Sequence, residues 1–121
     1  MYLGPSQFVN SNGDDTGLIN SLGNYMSMPN ASQSYTAEFQ VPVQYKVTKV
    51  FVKGNANIPF SLFISGWSTA MGASRGSGTV NTELTLTTQL TSSEGNFYTI
   101  ILNPSSANQR IYGCRLTLEE V

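Results

Sequence analysis

Hydrophobic and polar residues alternate along most of the chain from residue 35 onward. Between Tyr35 and Val41, residues of Tyr, Ala, Phe and Val alternate with Thr, Glu and Gln, and Pro42 follows. This period of two predicts a half-buried strand that ends at a residue without a backbone N–H. Further strands are predicted over 43–53, 60–65, 80–87, 97–102 and 111–119. The pattern predicts an all-β fold, a β-sandwich or jelly roll of about six to eight antiparallel strands.

The second of these segments, 43–53, changes phase along its length. Val47 belongs to one alternating set and Val50 to the other. We therefore predict a β-bulge near Thr48–Lys49, or a strand covered on both faces. The segment also carries Lys46, Lys49 and Lys53, which we expect to protect a sheet edge from pairing with another chain.

Two segments lack this alternation. Residues 68–78 are small and include Gly72, Gly76 and Gly78, which predicts a mobile loop after Trp67. Residues 1–34 have no sustained period, and we interpret them as an extended N-terminal arm on a sandwich domain of residues 35–121. In the alternative, these residues fold back over their own sandwich as an irregular layer.

Short apolar islands interrupt the polar arm, and apolar side chains of this kind are expected to dock onto something. In the arm interpretation they are the residues that bind a partner: Tyr2, Leu3, Phe8, Val9, Leu18, Ile19, Leu22, Tyr25, Met26 and Met28.

Charge and hydropathy exclude two kinds of partner. Lys and Arg total 6, Asp and Glu total 7, and the formal net charge is -1. Too few cations are present for a surface that neutralises many phosphates, so we expect no nucleic-acid partner. No apolar run approaches the ~20 residues of a membrane span, and the first residues lack the features of a signal peptide. We expect no membrane partner and synthesis in a host cytoplasm.

The sequence offers little chemistry. It contains no His and 1 Cys, so a His-based catalytic triad and a Cys/His zinc site are both excluded. The last predicted strand, 111–119, is expected to place Tyr112, Cys114, Leu116 and Leu118 on its inward side, where the Cys114 thiol acts as a small hydrophobic group. We expect no enzyme activity, no catalytic residues, no cofactor and no metal.

Two phrases in the strands carry a resemblance to a known family. They are P-x-x-Y-K-V-T at residues 42–48 and I-Y-G-x-x-L-T-L at residues 111–118, together with the strand segments 83–87 and 96–102. Over about two thirds of the chain these features resemble small β-sandwich decoration (cement) proteins and related virion proteins of tailed phages, particularly marine and cyanobacterial phages.

The resemblance implies a virion structural protein on the outer capsid surface. Its partners would be the major capsid protein and further copies of itself, commonly as a homotrimer. The sandwich would form the body, and the islands of the arm would anchor it and bridge neighbouring capsid subunits.

A different function is also compatible with the sequence. Trp67 and the glycine-rich segment 68–78 would form a shallow glycan-binding site in a receptor-binding module of a tail fibre. Tyr98 and Tyr112 would add stacking surfaces if their side chains face outward. A lone Trp also serves as a core residue, so its exposure separates the two interpretations.

Overall fold

The computed structural model describes residues 1–10, 18–19, 24–66, 72, 74–92 and 96–121. The described residues form strands and one short 3-10 turn, Pro5–Gln7. In chain order the strands are β1 (Tyr2–Leu3), β2 (Val9–Asn10), β3 (Leu18–Ile19), β4 (Met26–Met28), β5 (Tyr35–Phe39), β6 (Tyr45–Gly54), β7 (Pro59–Gly66), β8 (Ser74–Thr79), β9 (Leu84–Thr91), β10 (Asn96–Leu102) and β11 (Gln109–Glu120).

The strands pair into two sheets in which every pairing is antiparallel. The first sheet has the order β3-β4-β11-β6-β9, with β1 also paired to β11. The second sheet has the order β2-β5-β10-β7-β8. Inward side chains of both sheets form one hydrophobic core. The predicted all-β sandwich is therefore confirmed.

The alternation predicted for β5 and the phase change predicted for β6 are both present in the structure. Tyr35, Ala37 and Phe39 of β5 all point inward and are buried. In β6 the pairing register shifts between Val47 and Lys49, so the predicted bulge lies at Thr48. Thr48 is itself buried, and its hydroxyl has no hydrogen-bond partner among the described residues. The bulge restores the inward direction of the valines that follow it.

The described part of residues 1–34 pairs with the strands of the sandwich. It therefore matches the alternative in which these residues fold back over their own sandwich. β1 and β4 pair with β11, and β2 pairs with β5. Four apolar residues of this segment join the core: Leu3, Phe8, Met26 and Met28. This corrects the expectation of a free arm, because short apolar strands at the edges of β11 and β5 bury side chains and also satisfy backbone groups of those edges.

The glycine-rich segment also differs from its prediction. Residues Ser74–Thr79 form the edge strand β8, which pairs with β7. Gly78 lies so close to Phe60 that a Cβ added to it would be 2.7 Å from the phenyl ring. The pairing of β8 with β7 therefore depends on glycine at this position. Val80 and Asn81 form a turn rather than a strand, and Asn81 adopts a φ of 72°.

Candidate functional site

The candidate site is centred on a bulge in β11. The register between β11 and β6 shifts between Ile111 and Gly113, and Gly113 has a φ of 151°. A Cβ at Gly113 would lie 2.8 Å from the carbonyl oxygen of Leu3. The absence of a side chain therefore lets β1 approach β11 closely.

Backbone hydrogen bonds hold the start of the chain against β11. The Met1 amino group donates to the carbonyl of Leu116 at 2.9 Å, and the Leu116 amide donates to the Met1 carbonyl at 2.7 Å. Leu3 beside them is buried in the core. These contacts hold the backbone of Tyr2 so that its side chain projects from the outer face of the first sheet.

Three side chains form a row across this outer face. Tyr2 of β1 is opposite Arg115 of β11, which is opposite Phe51 of β6. Residues directly opposite in antiparallel strands share a face, so these side chains are neighbours. The Arg115 guanidinium carbon lies 5.1 Å from the centre of the Phe51 ring, within the range of a cation–π contact.

Next to this row the surface contains a hollow of about 540 Å³. We call it the Tyr2–Tyr112 hollow. Both tyrosines of its lining are open to solvent: Tyr2 is 77% exposed and Tyr112 is 39% exposed. The full lining is Tyr2, Leu3, Gly4, Phe51, Lys53, Tyr112, Gly113, Cys114 and Arg115.

Charged groups surround the hollow. The Glu83 carboxylate lies 3.0 Å from the Arg115 guanidinium and 3.7 Å from the Lys49 ammonium. All three side chains are partly exposed, so these ion pairs orient Arg115 more than they stabilise the fold. Lys53 is exposed and forms no ion pair within the part of the chain that the structure describes. The Arg110 guanidinium lies 4.3 Å from the centre of the Tyr25 ring.

These lysines do not protect a sheet edge as we expected. They lie on β6, which is flanked by β11 and β9 inside the first sheet. Lys49 and Lys53 instead place positive charge on the outer face beside the hollow.

The Cys114 thiol, which lines the hollow, is unreactive at neutral pH. Cys114 is buried, and burial raises the pKa of its thiol from 9.0 to about 12. The neighbouring positive charges of the N-terminus and Arg115 only partly oppose this shift. At neutral pH the group is a protonated thiol, which is a poor nucleophile.

The raised pKa of Cys114 predicts a pH-dependent stability. An unfolded thiol ionises above about pH 9, whereas the buried thiol stays protonated until about pH 12. Because the unfolded state then binds fewer protons, the free energy of unfolding falls as pH rises through this window. From about pH 9 to about pH 10 we expect wild type to lose about 1 kcal/mol more than Cys114→Ala. Urea unfolding of both proteins checks this, and parallel pH profiles would contradict it.

The predicted anchor residues are spread over several environments. Leu3, Phe8, Met26 and Met28 are buried in the core, so their side chains cannot also bind a partner, which corrects that expectation. Val9 is 50% exposed, and Tyr25 is half-buried beneath Arg110. The backbones of Leu18 and Ile19 pair with β4. Leu22 lies outside the described residues. Tyr2 and Leu3 are the members of this set that line the hollow, and of the two only Tyr2 is exposed.

The residues predicted for glycan binding have different outcomes. Trp67 lies outside the described residues. Tyr98 is buried, and its hydroxyl donates to the carbonyl of Thr91 at 2.9 Å, so it offers no stacking surface. Tyr112 faces outward and lines the hollow. The sequence analysis did not identify Phe51 or Arg115 as site residues, although each stands at a polar-face position of its alternating strand.

Other surface hollows are less suited to a ligand. One of about 510 Å³ is lined by Val43, Gln44, Tyr45, Thr91, Ser92, Glu120 and Val121, with a half-buried tyrosine as its aromatic residue. Another of about 370 Å³ is lined by Gln7, Val9, Thr36 and Glu38 and has no aromatic residue.

The described part of the chain contains no group of His, Cys, Asp and Glu side chains arranged to hold a metal ion. It also contains no helix with the length and apolar character needed to cross a membrane.

Among solved structures, carbohydrate-binding modules (CBMs) have similar folds. The CBM36-1 domain of a multidomain xylanase from the hindgut metagenome of Trinervitermes trinervoides has a TM-score of 0.56 and 12% identity, over 100% of this chain and 98% of that domain. CBM35 from Cellvibrio japonicus Abf62 has a TM-score of 0.54 and 17% identity, over 99% of this chain and 97% of that one. TmCBM61, solved in complex with β-1,4-galactotriose, has a TM-score of 0.51 and 10% identity, over 94% of this chain and 87% of that one.

At these identities the similarity shows a shared β-sandwich fold and no more. No protein-family model matches the chain, and no curated protein matches it.

Proposed function

We propose that this chain is a non-catalytic carbohydrate-binding β-sandwich and that it binds saccharide in the Tyr2–Tyr112 hollow. The observation that carries the proposal is the pair of solvent-open tyrosine rings beside a hollow of about 540 Å³ on the outer face of a sheet. The similar folds of carbohydrate-binding modules support it.

The chemistry of the lining suits a sugar ring. An aromatic ring offers a flat apolar surface against which the C–H face of a sugar packs, and a tyrosine hydroxyl adds a polar group at its edge. The Arg115 guanidinium and the Lys53 ammonium are hydrogen-bond donors for sugar oxygens. Apolar surface with a few fixed polar groups is the usual composition of a small-molecule site, and such sites commonly measure about 300–1,000 Å³.

The hollow is also held in shape before any ligand binds. The backbone of Tyr2 is held by the pairing of β1 with β11, and the backbone of Tyr112 lies at a bulge within β11. Arg115 is held between Glu83 and Phe51. Groups that are already ordered lose less conformational entropy when a ligand binds, so a shallow site gains affinity from this arrangement.

The proposal keeps the glycan-binding alternative of the sequence analysis and moves its site from Trp67 to the hollow. Capsid decoration, trimer formation and location on a virion stay predictions from the resemblance. Burial of Leu3, Phe8, Met26 and Met28 removes side chains that the decoration hypothesis used as anchors.

A glycan screen with matched variants tests the proposal. We expect wild type to bind one or more members of a panel of neutral and acidic oligosaccharides. Tyr112→Ala should weaken that binding by about fivefold or more. Truncation of one aromatic side chain that stacks on a nucleic-acid base costs about 1–3 kcal/mol, and we expect a similar loss for a stacked sugar ring. Tyr112→Phe keeps the ring and should stay within about threefold of wild type. Isothermal titration calorimetry measures the three affinities.

Two results would contradict this assignment. Binding of no panel member would remove the proposed function. Binding that Tyr112→Ala leaves unchanged would place the saccharide elsewhere on the molecule.

A further inference from the structure

Positive charge is unevenly distributed over the two sheets. The chain has a net charge of -1 with 6 Lys and Arg residues. The first sheet carries all of them except Arg75, which lies on β8 of the second sheet. The cations of the first sheet lie on its central strands β6 and β11: Lys46, Lys49, Lys53, Arg110 and Arg115.

The charge excess is concentrated at the Tyr2–Tyr112 hollow. Lys53 and Arg115 line it, and Lys49 shares the Glu83 carboxylate with Arg115. Arg110 precedes Tyr112 by two residues on the same strand. Among the described residues, the Glu83 carboxylate pairs with both Lys49 and Arg115, and Lys53 forms no ion pair, so positive charge exceeds negative charge beside the hollow.

The acidic end of β11 does not neutralise this region. Glu119 is paired in register with Lys46, and Glu120 is paired with Tyr45. These residues lie at the opposite end of β6 from Lys53. Lys46 and Lys53 are seven positions apart along the strand, which corresponds to about 23 Å.

We infer, on the basis of the proposed function, that the hollow selects an acidic saccharide, with a uronic acid unit between the tyrosines and its carboxylate near Lys53 and Arg115. The sugar ring supplies the apolar face for Tyr2 and Tyr112, and the carboxylate supplies the negative charge that the local excess attracts. Arg115 is already oriented by Glu83 and Phe51, so it offers its guanidinium edge at low entropic cost.

A polyanion without sugar rings fits the observations less well. The cations adjoin two exposed tyrosine rings and one hollow, whereas a polyphosphate surface needs a longer array of cations. Charge alone would leave the aromatic lining without a role. Polyglutamate and single-stranded oligothymidylate are therefore useful competitors in the test.

The test compares acidic oligosaccharides with their own carboxyl-reduced forms. Oligogalacturonate and hyaluronan fragments are titrated into the full chain by calorimetry, each beside its reduced derivative. We expect one or both acidic sugars to bind about tenfold more tightly than the reduced form, because a hydrogen bond between two charged groups is stronger than one to a neutral hydroxyl. The preference should shrink as salt concentration rises, because exposed charges are screened.

Two lysine variants on the same strand localise the charge effect. Lys53→Gln removes a cation that lines the hollow, and Lys46→Gln makes the same change of charge at the far end of β6. We expect Lys53→Gln to weaken the acidic sugar by about fivefold and to weaken its carboxyl-reduced form less, because the glutamine amide still donates hydrogen bonds but carries no charge. Lys46→Gln should stay within about twofold, because its ammonium is farther away than the screening length.

The outcomes separate this inference from the proposed function. Tyr112-dependent binding with equal affinity for acidic and reduced sugars would overturn the inference and leave the proposed function standing. Equal effects of the two lysine variants would also overturn it, since the charge would then act from the whole molecule. Binding of polyglutamate or oligothymidylate as tight as that of the uronates, unaffected by Tyr112→Ala, would identify a general anion surface. Binding of no saccharide would remove both proposals.

Discussion

Replacing Phe8 with alanine is expected to lower the free energy of unfolding by about 3–5 kcal/mol. The Phe8 side chain is 2% exposed and belongs to the common core of the two sheets. Its removal leaves a cavity in a close-packed interior as well as losing buried apolar area. Because small domains are marginally stable, a loss of this size should also lower the urea midpoint substantially.

The adjacent residue supplies the control for Phe8→Ala. Val9 is the next residue along the chain and begins β2, but it is 50% exposed, so Val9→Ala should cost less than about 1 kcal/mol. Urea unfolding followed by circular dichroism measures both variants. If residues 1–34 were a detached arm, neither change would reach the core, and the two variants would unfold almost identically to wild type.

The sequence predicts the central strands well because their information is local. In β5 every second residue is apolar, and the period of two is enough to assign both the strand and its inward face. The bulge in β6 is likewise visible as a change of phase between Val47 and Val50. Such patterns need no knowledge of which strand lies alongside.

The N-terminal strands could not be predicted in the same way. β1 and β2 contain two residues each, which is too short to display any period. Their structure depends on pairing with β11 and β5, which lie far along the chain. The apolar islands indicate that the segment docks, and the described part of it does. An island in a sequence does not tell whether the receiving surface is the chain's own sandwich or another protein.

The candidate site was only partly predictable for a related reason. The alternation of segment 111–119 predicts that Tyr112 faces inward with Cys114, and this is wrong. Tyr112 is 39% exposed, because the bulge between Ile111 and Gly113 changes the phase of β11. The hollow itself forms because β1 brings Tyr2 beside Arg115 from the opposite end of the chain. Lys53 and Phe51 join it through the register of β6 with β11. Registers between distant strands are set by the packed fold, and a sequence pattern does not contain them.

Gly113→Ala is expected to cost about 2–4 kcal/mol and to loosen β1 from the first sheet. Gly113 has a φ of 151°, a conformation that residues with a side chain rarely adopt. The added methyl group would also lie 2.8 Å from the Leu3 carbonyl oxygen, so either β1 or the bulge must move. Movement of β1 would displace Tyr2 and open the hollow on one side.

The exchange rate of the Leu116 amide reports this movement without any ligand. That amide donates to the Met1 carbonyl at 2.7 Å, so we expect its hydrogen exchange to accelerate by about tenfold or more in Gly113→Ala. Gly4→Ala is the matched control, because Gly4 also lines the hollow but has no atom within 4 Å of an added Cβ. Gly4 has a φ of -75° and a ψ of 168°, which alanine also adopts. The free energy of unfolding of Gly4→Ala should therefore differ from that of wild type by no more than about 1 kcal/mol. Both glycines border the same hollow. If the Leu116 amide exchanged at equal rates in the two variants, Gly113 would not control the docking of β1. The position of Tyr2 would then need another cause.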